Sequence, residues 1–272
     1  MDLGVRTLRP GLGVVPVPSP TLPPATHTNA WILGDKEVLV IDPAGIDASA
    51  RDMLADSVQD RIVTGIFLTH HHGDHIGGAQ DLRSRTGAPI LAHTRTAAQL
   101  PFPVDILHSD GDSIETDVES WTVLHTPGHA SGHLCLLASD GHLIAGDMVA
   151  GVGTIVLDPP EGHLGDYIRS LTRLVSLKPA TLLPAHGPEI TPGVPYLNHY
   201  IAHRNLRTKQ ILQALHAWNA PAKPIDLVPL VYPDIPQFVH PLAARQVRCH
   251  LQWLCENDTI HETNELFTME TP

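Results

Sequence analysis

The feature that most constrains the fold of this chain is a histidine-rich loop, LTHHHGDHIGG, at residues 68–78. The apolar, β-branched segment before it, RIVTGIF, predicts a buried strand, and GGAQDLRSRTG after it predicts a helix that ends at Gly87. The histidines therefore lie on a loop between a strand and a helix, where a rigid scaffold can direct several side chains toward one point.

The spacing within this loop separates its residues into two sets. Side chains two positions apart in an extended segment share a side, so His70 and His72 can bind one metal ion while His71 turns away. Asp74 and His75 lie on the following turn and can face a second metal ion. We therefore expect His71 at the rim of a pocket or behind the ligands rather than among them.

Three other apolar strands also end in a histidine or an aspartate. These residues are His129 in HTPGHASGH, Asp147 in IAGDM and His186 in LLPAHGP. Imidazole and carboxylate side chains are ligands that borderline divalent metals favour. With the residues of the 68–78 loop they make five histidines and two aspartates, an inventory that suits two metal ions.

The remaining patterns predict an α/β protein with two parts. Hairpin-forming strands and helices alternate in two halves, which favours a layered α/β sandwich over a doubly wound parallel sheet. No strand is followed by a G-x-G-x-x-G or P-loop sequence, which excludes the usual nucleotide sites. Later in the chain, the order helix, short helix, helix, hairpin is typical of a winged-helix module. We therefore expect a first domain at 1–195 and a small α+β domain at 196–272.

Charge and composition limit the partners of this chain. It carries 17 Lys and Arg against 29 Asp and Glu, and residues from 196 onward carry six against seven. A DNA-reading module would normally be basic, so a pocket wall or a homodimer interface is the better interpretation of the C-terminal domain. No segment resembles a membrane span or a secretory signal, which predicts a cytoplasmic protein without a membrane partner.

The ordered set THHHGDH, TPGH, GD and AHG resembles the metallo-β-lactamase-fold hydrolase superfamily over roughly the first three quarters of the chain. The segments GDYIRSLTRL, HGPEI and YIAHRNLRTKQIL resemble the subgroup with a C-terminal winged-helix domain. That subgroup includes the animal β-lactamase-like endoribonuclease and fungal polyketide-releasing thioesterases. The resemblance implies an αββα sandwich with the metal ions at one edge of the sheets.

The same resemblance implies which residues bind which metal ion. His70, His72 and His129 would hold the first, Asp74, His75 and His186 the second, and Asp147 would bridge both. The expected cofactors are two divalent transition-metal ions, zinc first, with manganese or iron as alternatives. Such a pair can share a bridging hydroxide made at neutral pH, and Asp74 is the candidate catalytic residue because it could orient that nucleophile.

Four further residues are candidates for supporting roles. Asp42 ends the strand EVLVID and either supports a metal-bound histidine or caps a turn. His133, four residues after His129, is expected to make a structural hydrogen bond rather than to bind metal. His203 and Arg204 in HRNLR either supply cations to the pocket mouth for an anionic substrate or form an interdomain face.

The ligand pattern and the resemblance together imply a metal-dependent hydrolase. The acidic chain, and the analogy with the thioesterases of the subgroup, favour cleavage of a thioester, an ester or a lactone in a small or carrier-bound acyl substrate. The chain has no G-x-S-x-G sequence, which agrees with a mechanism that needs no serine nucleophile. The alternatives are a single-strand-specific endoribonuclease, for which RNA would be the nucleic-acid partner, a β-lactamase, and a non-catalytic DNA-binding regulator. The complete ligand set disfavours the regulator, because degenerate relatives usually lose ligands.

Overall fold

Two β-sheets lie face to face in the computed structural model, which describes residues 4–269. The first sheet has seven strands that neighbour one another in chain order: β1 (Arg6–Arg9), β2 (Leu12–Pro18), β3 (His27–Leu33), β4 (Glu37–Ile41), β5 (Ile62–Phe67), β6 (Ile90–His93) and β7 (Ile106–His108). The second sheet has five strands, also in chain order across the sheet: β8 (Ser113–Glu115), β9 (Ser120–His125), β10 (Leu134–Ala138), β11 (His142–Gly146) and β12 (Thr181–Pro184).

Helices cover the outer faces and build the C-terminal part. The sandwich carries α1 (Ala48–Ser57), α2 (Gly73–Ile76), α3 (Ala79–Thr86), α4 (Thr94–Ala97) and α5 (Leu164–Ser176). The C-terminal part contains α6 (Gly193–Trp218), α7 (Pro224–Val231), a 3-10 turn (Gln237–Val239), α8 (His240–Glu256), β13 (Ile260–Thr263) and β14 (Leu266–Met269). Within residues 4–269, no helix combines the length and the apolar character needed to cross a membrane.

Alternation along the strands separates the cores of the sandwich. On β4, Val38 and Val40 pack outward in the core that includes α1 and α3. Leu39 and Ile41 point the other way and pack between the sheets, where Trp121 reaches them from β9. Because successive strand residues face opposite sides, one strand can fill two layers. The αββα sandwich expected from the sequence is confirmed.

Helix α6 belongs to two cores. Leu197 and Tyr200, near its start, pack with α5 on the outer face of the second sheet. Ile211 and Leu215, near its end, pack with α7 and α8 in the C-terminal core. The domain boundary predicted between 195 and 196 lies in the first turn of this helix, and it stays a prediction.

The Pro-rich N-terminal segment, for which the sequence pattern predicts no strand, forms β1 and β2. Val15 and Val17 of β2 are buried, whereas Pro16 and Pro18 between and after them are exposed. Strand β1 pairs with β2 only as far as Val14, so the rest of β2 has a partner on one side only. An edge position tolerates proline, which has no N–H to donate.

Candidate metal centre

Four strand ends bring the predicted ligands to one edge of the sandwich. The chain leaves β5 into the loop that carries His70 and His72, and His129 lies between β9 and β10. Asp147 directly follows β11, and His186 lies two residues beyond β12. All seven ligands fall into triplets whose donor atoms lie within 4.8 Å of one another: His70, His72 and His129; His70, His75 and Asp147; Asp74, His75 and His186.

The first group consists of three converging imidazoles. His70 Nε2 lies 3.0 Å from His72 Nδ1 and 3.2 Å from His129 Nε2. The distance between His72 Nδ1 and His129 Nε2 is 2.9 Å. Zinc binds histidine nitrogen at 2.0–2.1 Å, so tetrahedral coordination places ligand nitrogens about 3.3 Å apart. The spacing of the first group therefore fits a transition-metal ion.

Hydrogen bonds on the far side of the rings leave lone pairs facing the centre. Thr69 donates its hydroxyl proton to Asp42 Oδ2 at 2.7 Å, so its oxygen accepts from His70 Nδ1 at 3.0 Å. His129 Nδ1 donates to the carbonyl of Val156 at 2.8 Å. Each neutral ring then carries its lone pair on Nε2, and the two Nε2 atoms face each other across 3.2 Å. A cation between them removes that repulsion.

The second group combines two imidazoles with a carboxylate. His75 Nδ1 donates to Asp42 at 2.8 Å, and His186 Nδ1 donates to the carbonyl of His27 at 3.2 Å. Asp74 oxygens lie 4.0 Å from His75 Nε2 and 3.6 Å from His186 Nε2. His75 Nε2 is buried and has no hydrogen-bond partner within residues 4–269. Such an atom needs a ligand of its own.

Asp147 lies between the two groups. Its Oδ2 is 3.4 Å from His129 Nε2, and its Oδ1 is 3.6 Å from His75 Nε2 and 3.4 Å from His186 Nε2. Oδ1 is a second buried polar atom without a hydrogen-bond partner in the described part of the chain. The carboxylate therefore presents one oxygen to each group, as a bridging ligand would.

His133 holds the backbone of Asp147 in place. The Asp147 N–H donates to His133 Nε2 at 3.0 Å, so the other ring nitrogen donates to the Thr126 hydroxyl at 2.9 Å. The preceding residue, Gly146, has φ +48°, and a Cβ there would lie 2.5 Å from His133 Nε2. The glycine of the GD sequence is thus required by this close approach. The structural hydrogen bond expected for His133 is present.

The electrostatics of the two groups differ. Burial, together with the neighbouring imidazoles, lowers the pKa of His70 well below its ordinary value and that of His72 to about 3. Burial also lowers the pKa of His129 despite the nearby Asp147 carboxylate. These rings are neutral, which is the form that binds metal. Burial would lower the pKa of His75 too, but Asp42 and Asp147 outweigh it and raise that pKa well above its ordinary value. A bound cation would take the place of the proton.

Asp42 fulfils both interpretations that the sequence left open. Its carboxylate accepts from the Thr69 N–H at 2.8 Å, which fixes the turn after β5, and from His75 Nδ1 at 2.8 Å. Through the Thr69 hydroxyl it also lies behind His70. One buried carboxylate therefore orients a histidine in each group.

His71 turns away from the first group, as its position in the loop predicts. Its Nε2 lies 2.9 Å from Glu161 Oε2. Glu161 also accepts from the N–H and the hydroxyl of Ser131 at 3.1 and 3.3 Å, and it lines the cleft beside the centre. Burial raises the pKa of Glu161, but the His71 and Ser131 hydrogen bonds outweigh it and lower that pKa to about 2. Glu161 was not predictable from the sequence, because it belongs to no strand end and to none of the ordered sequences.

A cleft of about 330 Å³ opens beside the donors. His72, Asp74, His129, Asp147 and His186 form its floor. Its walls come from three distant segments: residues 20–25 after β2, residues 152–161 after β11, and Leu242 and Arg245 of α8. The C-terminal part thus contributes to the cleft, as a pocket wall.

The HRNLR residues lie outside this cleft. Arg204 is 4% exposed and donates to the carbonyl of Ile155 at 2.5 Å and to Gln246 Oε1 at 3.0 Å. His203 lines an adjacent pocket with it. Within residues 4–269, Arg245 is the one Lys or Arg that lines the cleft, and no sequence pattern marks it. Arg204 therefore ties α6 to the 152–161 loop and to α8.

Two family profiles match this sequence. The profile described as "Metallo-beta-lactamase superfamily" matches residues 23–186, which include all seven predicted ligands. The profile described as "Beta-lactamase associated winged helix domain" matches residues 224–265. The second match agrees with the winged-helix module expected from the element order at the C-terminus.

Individual proteins are also similar over most of the chain. The "Beta-lactamase-like protein 2 homolog" of Drosophila melanogaster is 31% identical over 246 residues, 84% of this chain and 82% of that protein. The "Atrochrysone carboxyl ACP thioesterase" of Emericella nidulans is 30% identical over 212 residues, 76% of this chain and 66% of that protein. The crystal structure of a metallo-beta-lactamase family protein from Thermus thermophilus superposes with a TM-score of 0.81 at 25% identity, covering 97% of this chain and 100% of that one.

Proposed function

Since this chain belongs to the metallo-beta-lactamase superfamily of hydrolases, we propose that it uses two divalent metal ions to cleave a thioester, an ester or a lactone. The substrate is a small or carrier-bound acyl compound. When bound, the two ions would supply an activated water at neutral pH and would polarise the carbonyl oxygen of the substrate.

The observation that carries this proposal is the arrangement of donors on both sides of Asp147. On one side, Nε2 atoms of His70 and His129 face each other across 3.2 Å, both as lone-pair acceptors. On the other, His75 Nε2 is buried without a hydrogen-bond partner in the described residues. Two separate positions therefore call for a cation, and one carboxylate faces both.

We assign the residues accordingly. His70, His72 and His129 would hold the first ion, Asp74, His75 and His186 would hold the second, and Asp147 would contribute to both. Imidazoles outnumber carboxylates in this set, which suits zinc, with manganese or iron as alternatives. Asp74 also lines the cleft, so its carboxylate can accept a proton of the attacking water and hold that water toward the substrate carbonyl.

The acyl substrate class has two supports. A relative 30% identical to this chain is named as an acyl-carrier thioesterase. The cleft lining also contains Asp158 and Glu161 beside the ligands, whereas Arg245 is its one Lys or Arg within residues 4–269. That balance suits a small acyl group better than the repeated phosphates of RNA, since nucleic-acid sites are normally basic.

The test combines metal analysis with a substrate panel. Protein purified without chelator should contain close to two transition-metal equivalents per chain. Thioesters, lactones, β-lactams and single-stranded RNA are then assayed with the wild type and with His72→Ala. We expect hydrolysis of a thioester or an ester, with a rate that falls by more than about 100-fold in the variant. Replacing a residue that only supports a metal ligand already lowers metal affinity or activity by about 10–100-fold.

His216→Ala is the matched control, since it removes an exposed histidine near the end of α6. It should keep both equivalents and full activity. One metal equivalent in the wild type, unchanged in Asp147→Asn, would contradict the dinuclear proposal. Cleavage of RNA but of no acyl compound would replace the acyl substrate with the endoribonuclease alternative.

A further inference from the structure

A second pocket, of about 290 Å³, lies between the C-terminal helices and the segment 152–161 that forms one wall of the cleft. It is bounded by α6, α8 and the segment between α7 and the 3-10 turn. Thr154, Val156 and Leu242 line both this pocket and the catalytic cleft. We call it the side pocket. Because the Val156 carbonyl also holds His129 Nδ1, the side pocket lies directly behind a ligand of the first group.

The lining of the side pocket is cationic without any acidic residue. Arg204 and Arg207 lie in it beside His203, and within residues 4–269 no Asp or Glu lines it. The chain as a whole has a formal charge of −12. Two guanidinium groups in one pocket, with no carboxylate, therefore differ from the general surface of this protein.

Among residues 4–269, neither guanidinium has a negative partner. Arg204 donates to Gln246 and to the Ile155 carbonyl, and Arg207 donates to the Val231 carbonyl at 2.8 Å. Arg207 also lies over the ring of Tyr232, 4.2 Å from its centroid. Within the described residues, neither arginine has a carboxylate within 4.0 Å.

Such charges are costly to keep out of water. Arg204 is only 4% exposed, and the Nε atoms of both arginines are buried with no hydrogen-bond partner in the described part of the chain. A buried charge without an opposite partner is unfavourable, and an anion that joins it offsets this cost. Arg207, which is partly exposed and lines the side pocket, is the guanidinium that an anion entering from outside can reach.

The positive field reaches the neighbouring histidines. Burial, and then Arg204 and Arg207, lower the pKa of His203, and the same causes lower the pKa of buried His250 to about 3. Around the cations, Tyr232, Ile235, Val239 and Leu242 give the side pocket apolar walls. An occupant should therefore have an apolar body and an anionic end.

We propose that the side pocket binds an anionic group, a carboxylate or a phosphate, at the far end of the acyl substrate whose scissile bond lies at the metal centre. This inference rests on the proposed function. Thr154, Val156 and Leu242 line both cavities, and this shared wall places the anionic group beside the reacting bond. Guanidinium groups bind both anions through paired N–H donors.

The test compares thioesters that differ only by the distal anion. Glutaryl and pentanoyl thioesters of a neutral thiol place or omit a carboxylate on the acyl side. Butanoyl thioesters of 4′-phosphopantetheine and of pantetheine place or omit a phosphate on the thiol side. The wild type should prefer the anionic member of one pair, which identifies the source of the anion.

Arg207→Gln is the informative variant, because Arg204 also supports the cleft loop. We expect the ratio of kcat/KM for the anionic to the neutral member to fall about tenfold, mainly through KM, with partial rescue by Arg207→Lys. Lys209→Gln, which removes an exposed charge from the same helix, should leave the ratio unchanged. The inference would be overturned if the wild type showed no preference for the anionic member of either pair. It would also be overturned if the ratio were the same in Arg207→Gln as in the wild type.

A binding measurement separates this inference from the proposed function. The probe is 4-phenylbutane-1-sulfonate, an apolar body with an anionic end that is a poor metal ligand, titrated calorimetrically into the metal-loaded protein. Binding that weakens about tenfold in Arg207→Gln but not in Lys209→Gln supports the side pocket, even if no acyl compound is hydrolysed. Equal binding by all three proteins would overturn it, whatever the hydrolysis panel shows.

Discussion

The two donor groups at the sheet edge are held with different precision. In the first group, the three imidazole nitrogens already lie 2.9–3.2 Å apart. In the second, the Asp74 oxygens lie 3.6 and 4.0 Å from the nitrogens of His186 and His75. Ligand atoms on one zinc ion lie about 3.3 Å apart. The first group therefore has the geometry of a metal site as it stands, whereas the second must contract around the ion.

The carboxylate of the second group explains this difference. Hydrogen bonds to the far ring nitrogens fix the histidines of both groups, His70 and His129 in the first and His75 and His186 in the second. Asp74 lies in the first turn of the short helix α2, with its side chain partly exposed to the cleft. Preorganised ligands bind metal more tightly. We therefore expect the first position to fill at a lower metal concentration than the second.

Removing one ligand from each group should give the largest effects. His129→Ala breaks the rigid triangle, so we expect loss of both metal equivalents and a decrease in activity of more than about 100-fold. Asp74→Ala should lose only the second equivalent, because the first group stays intact. Metal content by elemental analysis and hydrolysis of the best thioester measure the two outcomes.

This comparison fails if the order is reversed. Asp74→Ala protein with no metal, or His129→Ala protein that keeps an ion in the second position, would show that the groups fill in the opposite order. His163→Ala, a histidine of the α5 N-cap that pairs with Glu256 away from the centre, serves as the control for histidine removal.

Asp42 offers a smaller and more selective perturbation. It accepts hydrogen bonds from His75 and from Thr69, and the Thr69 hydroxyl accepts from His70. Asp42→Asn should therefore weaken metal binding at both positions, by about 10–100-fold. Thr69→Val removes only the support of His70, so it should weaken the first position alone, toward the lower end of that range.

Chelator titrations of these two variants provide the measurement. The wild type should release its two ions in two steps, the second position first. An equal change of both release steps in Thr69→Val would contradict this expectation. It would mean that Asp42 couples the two positions through the backbone turn after β5, and not through a separate hydrogen bond toward each histidine.

The centre itself was predictable from the sequence because its parts follow local rules. Apolar strand patterns locate the strand ends, and the alternation within residues 70–75 separates His71 from its neighbours. His71 and His72 have the placement that this alternation predicts, and His129, Asp147 and His186 follow their strands at one edge of the sandwich, as the strand patterns predict. Asp42 remained undecided because one carboxylate can cap a turn and support a histidine at once, and it does both.

The walls of the cleft were not predictable, since no periodicity marks them. Glu161 lies in an irregular loop, and the N-terminal wall follows a Pro-rich strand that reads as irregular sequence. The sequence left Arg204 between the pocket mouth and an interdomain face. The packing of α6 buries it outside the cleft, whereas Arg245 of α8 reaches the cleft. Which residues of α6 and α8 face the cleft depends on how α6 packs in two cores at once, and sequence periodicity does not determine that packing.

The smallest effect should come from Glu161, which anchors His71 beside the first group. Its folded pKa of about 2 lies below the ordinary value of 4.5, so the unfolded chain binds more protons between these values. The stability that ionised Glu161 contributes is then complete above about pH 4.5 and disappears as the pH falls toward 2. Because the group is half solvated, its contribution should be at most about 1 kcal/mol.

Urea unfolding of chelated protein at pH 6 and pH 3 should show Glu161→Gln less stable than the wild type at pH 6 and closer to it at pH 3. Glu265→Gln, which removes a largely exposed carboxylate, should show no such convergence. A constant deficit of Glu161→Gln at both pH values would mean that the shape of the residue, and not its charge, holds His71 against the first group.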